Sequence, residues 1–110
     1  MDNKYGAELV TDKGKVYKYD SIECLIGYSL NKNLIGDKKH LMLISDFSKP
    51  GELVDARKSF YVHNNNFLSP MGLNISAFIN ESEQLKFFTE NSGEKLNWIE
   101  VVELVKQDDF

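Results

Sequence analysis

Two stretches of the sequence, sixty residues apart, carry the same order of strand and helix signals. The stretch YDSIECLIGY begins a helical pattern at Tyr19, and the stretch INESEQLKFF begins another at Ile79. In each stretch a polar residue, Asp20 or Asn80, stands three residues before a glutamate, which is the spacing of a helix capping pair. Strand signals come before and after each helix. The chain is therefore predicted to build one core from two copies of the same supersecondary unit.

The first copy is predicted to be a ββαβ module over about residues 6–48. GAELV and KVYKY are rich in Val, Leu and Tyr and are separated by Asp-Lys-Gly, so we expect a hairpin of strands near 7–11 and 15–19. Apolar residues then recur at helical spacing, which predicts a helix over about 21–32. The continuous apolar run HLMLISDF completes the module with a strand that we expect to be covered on both faces.

The second copy is predicted over about residues 56–110, after a boundary turn at Pro50-Gly51. KSFYVH and NISAFI predict its two opening strands, and INESEQLKFF predicts its helix, with Gly93 as the left-handed residue that ends it. KLNWIEVVELVKQ predicts a strand that runs into a terminal helix. The fold class is thus α+β, with two consecutive ββαβ modules packed as one domain over residues 1–110.

The two copies differ in the connection between their opening strands. The first has a tight turn, whereas the second has the longer segment NNNFLSPMGLN. Hairpin loops usually contain about two to five residues, and longer loops in compact domains are often functional or else poorly ordered. The length of this inserted loop does not decide between those two alternatives.

Composition and charge exclude several classes of function. Hydrophobic residues make up 42% and charged residues 27% of the sequence, which is typical of a folded soluble protein. The net charge of −4 and the lack of clustered cations argue against nucleic-acid binding. The sequence contains no apolar run of about 18 residues, and its single cysteine excludes an internal disulfide bond. The common signatures of phosphate-binding loops, serine hydrolases and zinc proteases are also missing from it.

The inserted loop contains the most unusual candidate residue, Met71. Pro70 restricts the backbone before this methionine, and Gly72 lets the chain turn sharply behind it. A thioether is a soft ligand that binds Cu(I) in preference to hard cations, usually beside a thiolate or an imidazole. A methionine in a turn also commonly covers a hydrophobic core. The residues alone leave both roles open.

Cys24 and His63 are the other candidate metal ligands. Cys24 lies on the predicted first helix beside its apolar stripe, where it is either a small buried side chain or a soft ligand. His63 ends the strand KSFYVH at the mouth of the inserted loop, where it either faces Met71 or is an exposed strand end. A nucleophilic pair of Cys24 with His63 or with His40 also stays open. Met42, inside the run LMLI, is predicted to be a core residue.

Three stretches of the chain resemble the NosL family, the accessory lipoproteins of nitrous oxide reductase. They are YGAELVTDKGKVYKYDSIECLIGYSL, SPMGLNISAF and GEKLNW, and the resemblance covers nearly the whole chain. Its most specific parts are the motifs GAE, DSIxCL and PMG, which have the family's order and approximate spacing. The resemblance implies a fold of two ββαβ modules that is shared with the organomercurial lyases.

The same resemblance implies a function and a set of partners. NosL proteins are exported, lipid-anchored Cu(I)-binding accessory proteins that help assemble the copper centre of nitrous oxide reductase. It therefore implies an extracytoplasmic copper metallochaperone that is not an enzyme. The expected partners are nitrous oxide reductase or other copper-assembly proteins, and membrane contact is expected only through a lipid anchor.

The resemblance also assigns roles to individual residues. Met71 matches the family methionine that is implicated in Cu(I) binding, and Cys24 matches a cysteine common in the family's first helix. Family members carry a Cys-Gly-Met-type motif after the export signal and the lipid-attachment cysteine. We expect this chain to begin downstream of that motif, so that Met71 represents one part of a copper site.

Two other functions stay open from the sequence. One is a noncatalytic assembly module that binds copper only incidentally. The other is a thiol enzyme that resembles the organomercurial lyases and uses Cys24 as a nucleophile, which requires a second soft ligand and a proton donor beside that cysteine.

Overall fold

The chain forms two antiparallel sheets and three α-helices. The computed structural model describes residues 5–64 and 75–107. In chain order the elements are β1 (Ala7–Val10), β2 (Val16–Tyr19), α1 (Ile22–Asn31), β3 (Leu41–Ser45), β4 (Leu53–Asp55), a short 3₁₀ helix (Ala56–Lys58), β5 (Phe60–His63), β6 (Ile75–Phe78), α2 (Glu81–Asn91), β7 (Glu94–Leu96) and α3 (Trp98–Gln107).

The two sheets share one topology. The strand order is β2-β1-β3-β4 in the first sheet and β6-β5-β7 in the second. In each sheet the first strand of the module lies between the second strand and the strand that follows the helix, and all pairs are antiparallel. The predicted repeat of two ββαβ modules, and with it the α+β fold class, is therefore confirmed.

Strand β4 was not predicted, and it changes the interpretation of Pro50-Gly51. In the structure this dipeptide lies in the hairpin that joins β3 to β4, where Gly51 has a φ of +90°. The first sheet therefore extends to Asp55, beyond the predicted end of the module at residue 48, and the predicted boundary turn is wrong. The stretch ELVD contains only two apolar residues, and these are adjacent, so it has no alternating pattern that would indicate a strand.

The helix starts also differ in detail from the prediction. Ser21, and not Asp20, is the N-cap of α1, and its hydroxyl accepts a hydrogen bond from the Cys24 amide at 3.4 Å. Asn80 is the N-cap of α2 but makes no side-chain capping bond. The predicted capping pairs therefore located the starts of both helices. The residue that caps α1 is Ser21, however, and the Asn80 side chain makes no capping hydrogen bond.

A single hydrophobic core joins the two modules. It contains buried residues from both sheets and from α1 and α3, namely Ala7, Leu9, Ile22, Leu25, Ile26, Met42, Ile44, Ala56, Tyr61, Ile75, Ala77, Val101, Val102 and Val105. Met42 is fully buried, as predicted. The prediction that β3 is covered on both faces is wrong at its first residue, because Leu41 is 46% exposed.

Backbone and side-chain contacts also connect the modules directly. The Phe47 amide, just after the first sheet's β3, donates a hydrogen bond to the Ala77 carbonyl of β6 at 2.7 Å. Helix α3 packs against α1 of the first module. Within residues 5–64 and 75–107, no helix is long and apolar enough to cross a membrane.

Candidate functional site

The root of the inserted loop lies at one end of the second sheet. His63, the last residue of β5, pairs in register with Ile75, the first residue of β6. The segment that carries Met71 connects these two residues, and Met71 itself lies outside the described residues. The structure therefore places His63 where the inserted loop leaves the sheet.

The imidazole of His63 has an acidic neighbour on the other side of its strand. His63 also pairs in register with Glu94 of β7, and its Nδ1 atom lies 3.6 Å from the Glu94 Oε1 atom. The His63 side chain is 22% exposed, whereas that of Glu94 is 72% exposed. The two groups form an ion pair when the imidazole is protonated, and the neutral imidazole offers a nitrogen lone pair to a metal.

The end of α2 fixes the backbone beside His63. Asn64 is buried, and its Nδ2 amide donates hydrogen bonds to the carbonyls of Asn91 at 2.6 Å and Ser92 at 2.7 Å. Gly93 was predicted as the left-handed end of this helix, but the C-cap is Ser92, with a φ of +64°, and Gly93 follows it with a φ of +109°. A Cβ atom at Gly93 would lie 2.5 Å from the His63 carbonyl oxygen, so only glycine allows the helix end to approach the loop root this closely.

A groove of about 270 Å³ opens between the loop root and helix α3. Its lining combines carboxylates with apolar side chains and contains His63, Glu94, Leu96, Ile99, Glu100, Glu103, Leu104 and Gln107. Helix α3 begins with a reciprocal cap, because the Asn97 and Glu100 side chains each accept a hydrogen bond from the other's backbone amide at 2.9 Å. This cap fixes the first turn of the helix that forms one wall of the groove.

Cys24 lies in a different environment, on α1 of the first module. It is half-buried next to the core residues of that helix, and its backbone amide donates a hydrogen bond to the Ser21 hydroxyl. The pKa of the nearby Tyr19 is raised, mainly by burial and then by Tyr28, with smaller effects of Tyr17 and Cys24. The ring centroids of Tyr19 and Tyr28 are 5.8 Å apart. Cys24 is thus a helix residue beside a cluster of tyrosines.

The described part of the chain does not bring the candidate side chains together. No hydrogen bond or ion pair there links Cys24 to His63 or to His40, whose Nε2 atom lies 3.5 Å from the Asp37 carboxylate. Nor do any three His, Cys, Asp or Glu side chains in those ranges form a group that could hold a metal ion.

The sequence prediction missed the residues that surround His63. Glu94 becomes its neighbour only through the pairing of β5 with β7, which a single sequence does not specify. The acidic face of α3 had a detectable signal, because Glu100 and Glu103 are three residues apart in the predicted terminal helix. That spacing would have placed them on one face of the predicted terminal helix.

Two comparisons with known proteins gave matches, one to a family model and one to a solved structure. A protein-family model described as NosL matches residues 3–105 of the chain. The fold is similar to a solved structure described as the copper chaperone NosL from Shewanella denitrificans, with a TM-score of 0.71 and 21% sequence identity. That match covers 86% of this chain and 76% of the other chain. No curated protein gives a significant match to the sequence.

Proposed function

Because this chain belongs to the NosL family, we propose that it is an extracytoplasmic Cu(I)-binding metallochaperone that assists assembly of the copper centre of nitrous oxide reductase. The protein acts by binding and transfer and is not an enzyme. Two findings support the proposal: the family match over most of the chain and the similarity in fold to a copper chaperone. The main observation in favour of a copper site is the Pro70-Met71-Gly72 segment, which lies in the loop that begins after His63.

Met71 supplies the principal ligand in this proposal. Its thioether is neutral and polarizable, so it favours Cu(I) over the hard cations Mg²⁺ and Ca²⁺. Met71 precedes Ile75 by four residues, and four residues of chain span at most roughly 14 Å. Since Ile75 pairs with His63, the imidazole is attached to the sheet within reach of the loop. His63 is therefore the candidate nitrogen donor.

In this proposal a second sulfur donor is a cysteine of the Cys-Gly-Met-type motif that the family resemblance implies. Two sulfur atoms, with or without the imidazole, hold Cu(I) at the low coordination number that permits ligand exchange with a partner. Cys24 is the third candidate ligand. Its place on α1 beside Ser21 and Tyr19 favours a structural role. The lipid anchor and export signal also belong to this proposal.

An anaerobic Cu(I) titration against a competing chelator tests the proposal. The full-length protein is compared with its Met71→Ala, His63→Ala and Cys24→Ser variants. We expect Met71→Ala to raise the Kd for Cu(I) at least about tenfold, because even residues outside the ligand shell of a metal contribute that much to its affinity. Met42→Leu is the matched control, since Met42 is buried in the core and should leave the affinity unchanged. Equal affinities of wild type and Met71→Ala would remove Met71 from the site.

The exposed groove beside His63 favours a second candidate function, a noncatalytic assembly module that recognises a partner and binds copper only incidentally. Maturation of copper-free nitrous oxide reductase separates the two functions. The metallochaperone requires Met71, so a Met71→Ala protein that matured the reductase as well as wild type would favour the assembly module.

A further inference from the structure

Helix α3 has two faces with different roles. Val101, Val102 and Val105 are buried in the core. On the groove side the helix presents Ile99, Glu100, Glu103, Leu104 and Gln107, which together with β7 and His63 enclose the space next to the loop root. Ile99, Glu100, Glu103 and Gln107 on this second face are exposed, and Leu104 is half-buried.

The groove offers an apolar side chain that the fold itself does not use. Ile99 is 72% exposed, the highest value among the exposed large hydrophobic residues in the described ranges. Single exposed apolar residues are common on protein surfaces and do not by themselves indicate a binding site. Ile99, however, borders a concave surface that continues into the partly buried Leu96 and Leu104. An apolar residue of a partner could therefore be enclosed there from several sides.

Apart from His63, whose imidazole faces Glu94, the ionisable side chains that line the groove are all carboxylates. Glu94, Glu100 and Glu103 line the groove, and its described lining contains no lysine or arginine. Glu94 is 72% exposed in its side chain, and Glu103 is exposed on the second turn of the helix. A surface of this kind attracts cationic groups and repels anionic ones, which sets both the rate of encounter and the choice of partner.

We propose that the groove docks a basic, amphipathic segment of the protein that receives copper from the Met71 loop. An apolar side chain of that segment packs on Ile99, Leu96 and Leu104, while flanking lysine or arginine side chains pair with Glu94 and Glu103. Because His63 belongs both to the groove and to the loop root, a docked partner lies beside the point where the Met71 segment leaves the sheet. A groove of this size gives a small contact, which suits a transient complex that must dissociate after transfer. The identity of the partner as a copper acceptor rests on the proposed function, whereas the docking chemistry does not.

The test uses three synthetic peptides and isotope-labelled protein without copper. The first peptide has leucines on one helical face with lysines beside them. The second has serine in place of leucine at the same charge, and the third has glutamate in place of lysine. Binding is followed by amide shifts in two-dimensional NMR spectra, which give both the Kd and the location of the contact.

We expect the leucine-lysine peptide to shift the amides of β7, α3 and His63 and to bind more tightly than either other peptide. Glu94→Gln combined with Glu103→Gln should weaken it about fivefold, the equivalent of two exposed charge pairs. Ile99→Ser should weaken it while leaving the net charge unchanged. The matched control is Glu52→Gln with Glu90→Gln, which removes two exposed charges outside the groove and should change the Kd less than about twofold.

Shifts that map to another surface would overturn the proposal, as would equal weakening by the groove variant and the control variant. Equal binding of the serine peptide would also overturn it, because the apolar strip would then have no role. Peptide binding and Cu(I) binding are measured separately. A protein that binds the peptide but does not bind Cu(I) would refute the proposed function and would leave the docking proposal standing.

Discussion

Replacing Asn64 by alanine tests how the root of the inserted loop is held. The buried Asn64 amide donates two hydrogen bonds, to the carbonyls of Asn91 and Ser92 at the end of α2. A hydrogen bond between neutral groups contributes about 0.5–1.5 kcal/mol to stability, so the loss of both predicts a decrease of about 1–3 kcal/mol in the free energy of unfolding.

Urea unfolding measures this change, with the fluorescence of Trp98 as the reporter. Trp98 is the single tryptophan of the chain and packs against Tyr61 in the core, with ring centroids 6.4 Å apart. For a domain of this size, a decrease of 1–3 kcal/mol shifts the urea midpoint by roughly 1–2 M at an unchanged slope. Asn31→Ala, at the exposed end of α1, is the control and should stay within about 0.5 kcal/mol of wild type. An Asn64→Ala midpoint that coincides with the Asn31→Ala midpoint would refute the role of these two bonds.

Three further variants probe other parts of the fold by the same unfolding assay. Gly93→Ala should cost about 2–4 kcal/mol, because its Cβ would lie 2.5 Å from the His63 carbonyl oxygen at a φ of +109°; a near-neutral result would contradict this close approach. Arg57→Met should cost about 2–4 kcal/mol, since the guanidinium donates to three backbone carbonyls of the loop before β3, whereas Lys58→Met at the exposed neighbour should be nearly neutral. Burial raises the pKa of Tyr61 well above 10, so the unfolded chain releases this proton first and stability falls as the pH rises above 10. Tyr61→Phe should reduce that loss by up to about 1.4 kcal/mol per pH unit, and an unchanged slope would show that Tyr61 does not contribute.

The repeat was predictable because hydrophobic spacing and turn residues are local properties of the sequence. The two ββαβ modules, the positive φ of Gly93 just after α2 and the core position of Met42 all follow from such signals. The equivalence of the modules is one of topology and not of burial. Leu25 is fully buried on α1, whereas Leu85, its counterpart in the repeat, is 51% exposed on α2. Packing against α3 distinguishes the two helices, since α3 packs closely on α1 and only the first module buries its helix in this way.

The candidate site was only partly predictable. His63 could be placed at the loop root because it ends a strand signal, and Met71 could be singled out by the proline and glycine around it. The neighbours of His63 could not be predicted, because Glu94 and helix α3 reach it through strand pairing and helix packing between residues distant in the chain. The positions that depend on long-range contacts are thus the ones that the sequence left undetermined.

X-ray absorption at the copper edge tests the central claim most directly. The sample is the full-length protein, loaded anaerobically with one equivalent of Cu(I), and it is compared with its Met71→Ala variant. The proposed site predicts sulfur scatterers in the first shell of the wild-type copper and one sulfur fewer in the variant. A first shell of oxygen and nitrogen alone, or identical sulfur shells in the two proteins, would contradict the assignment of Met71 as a copper ligand.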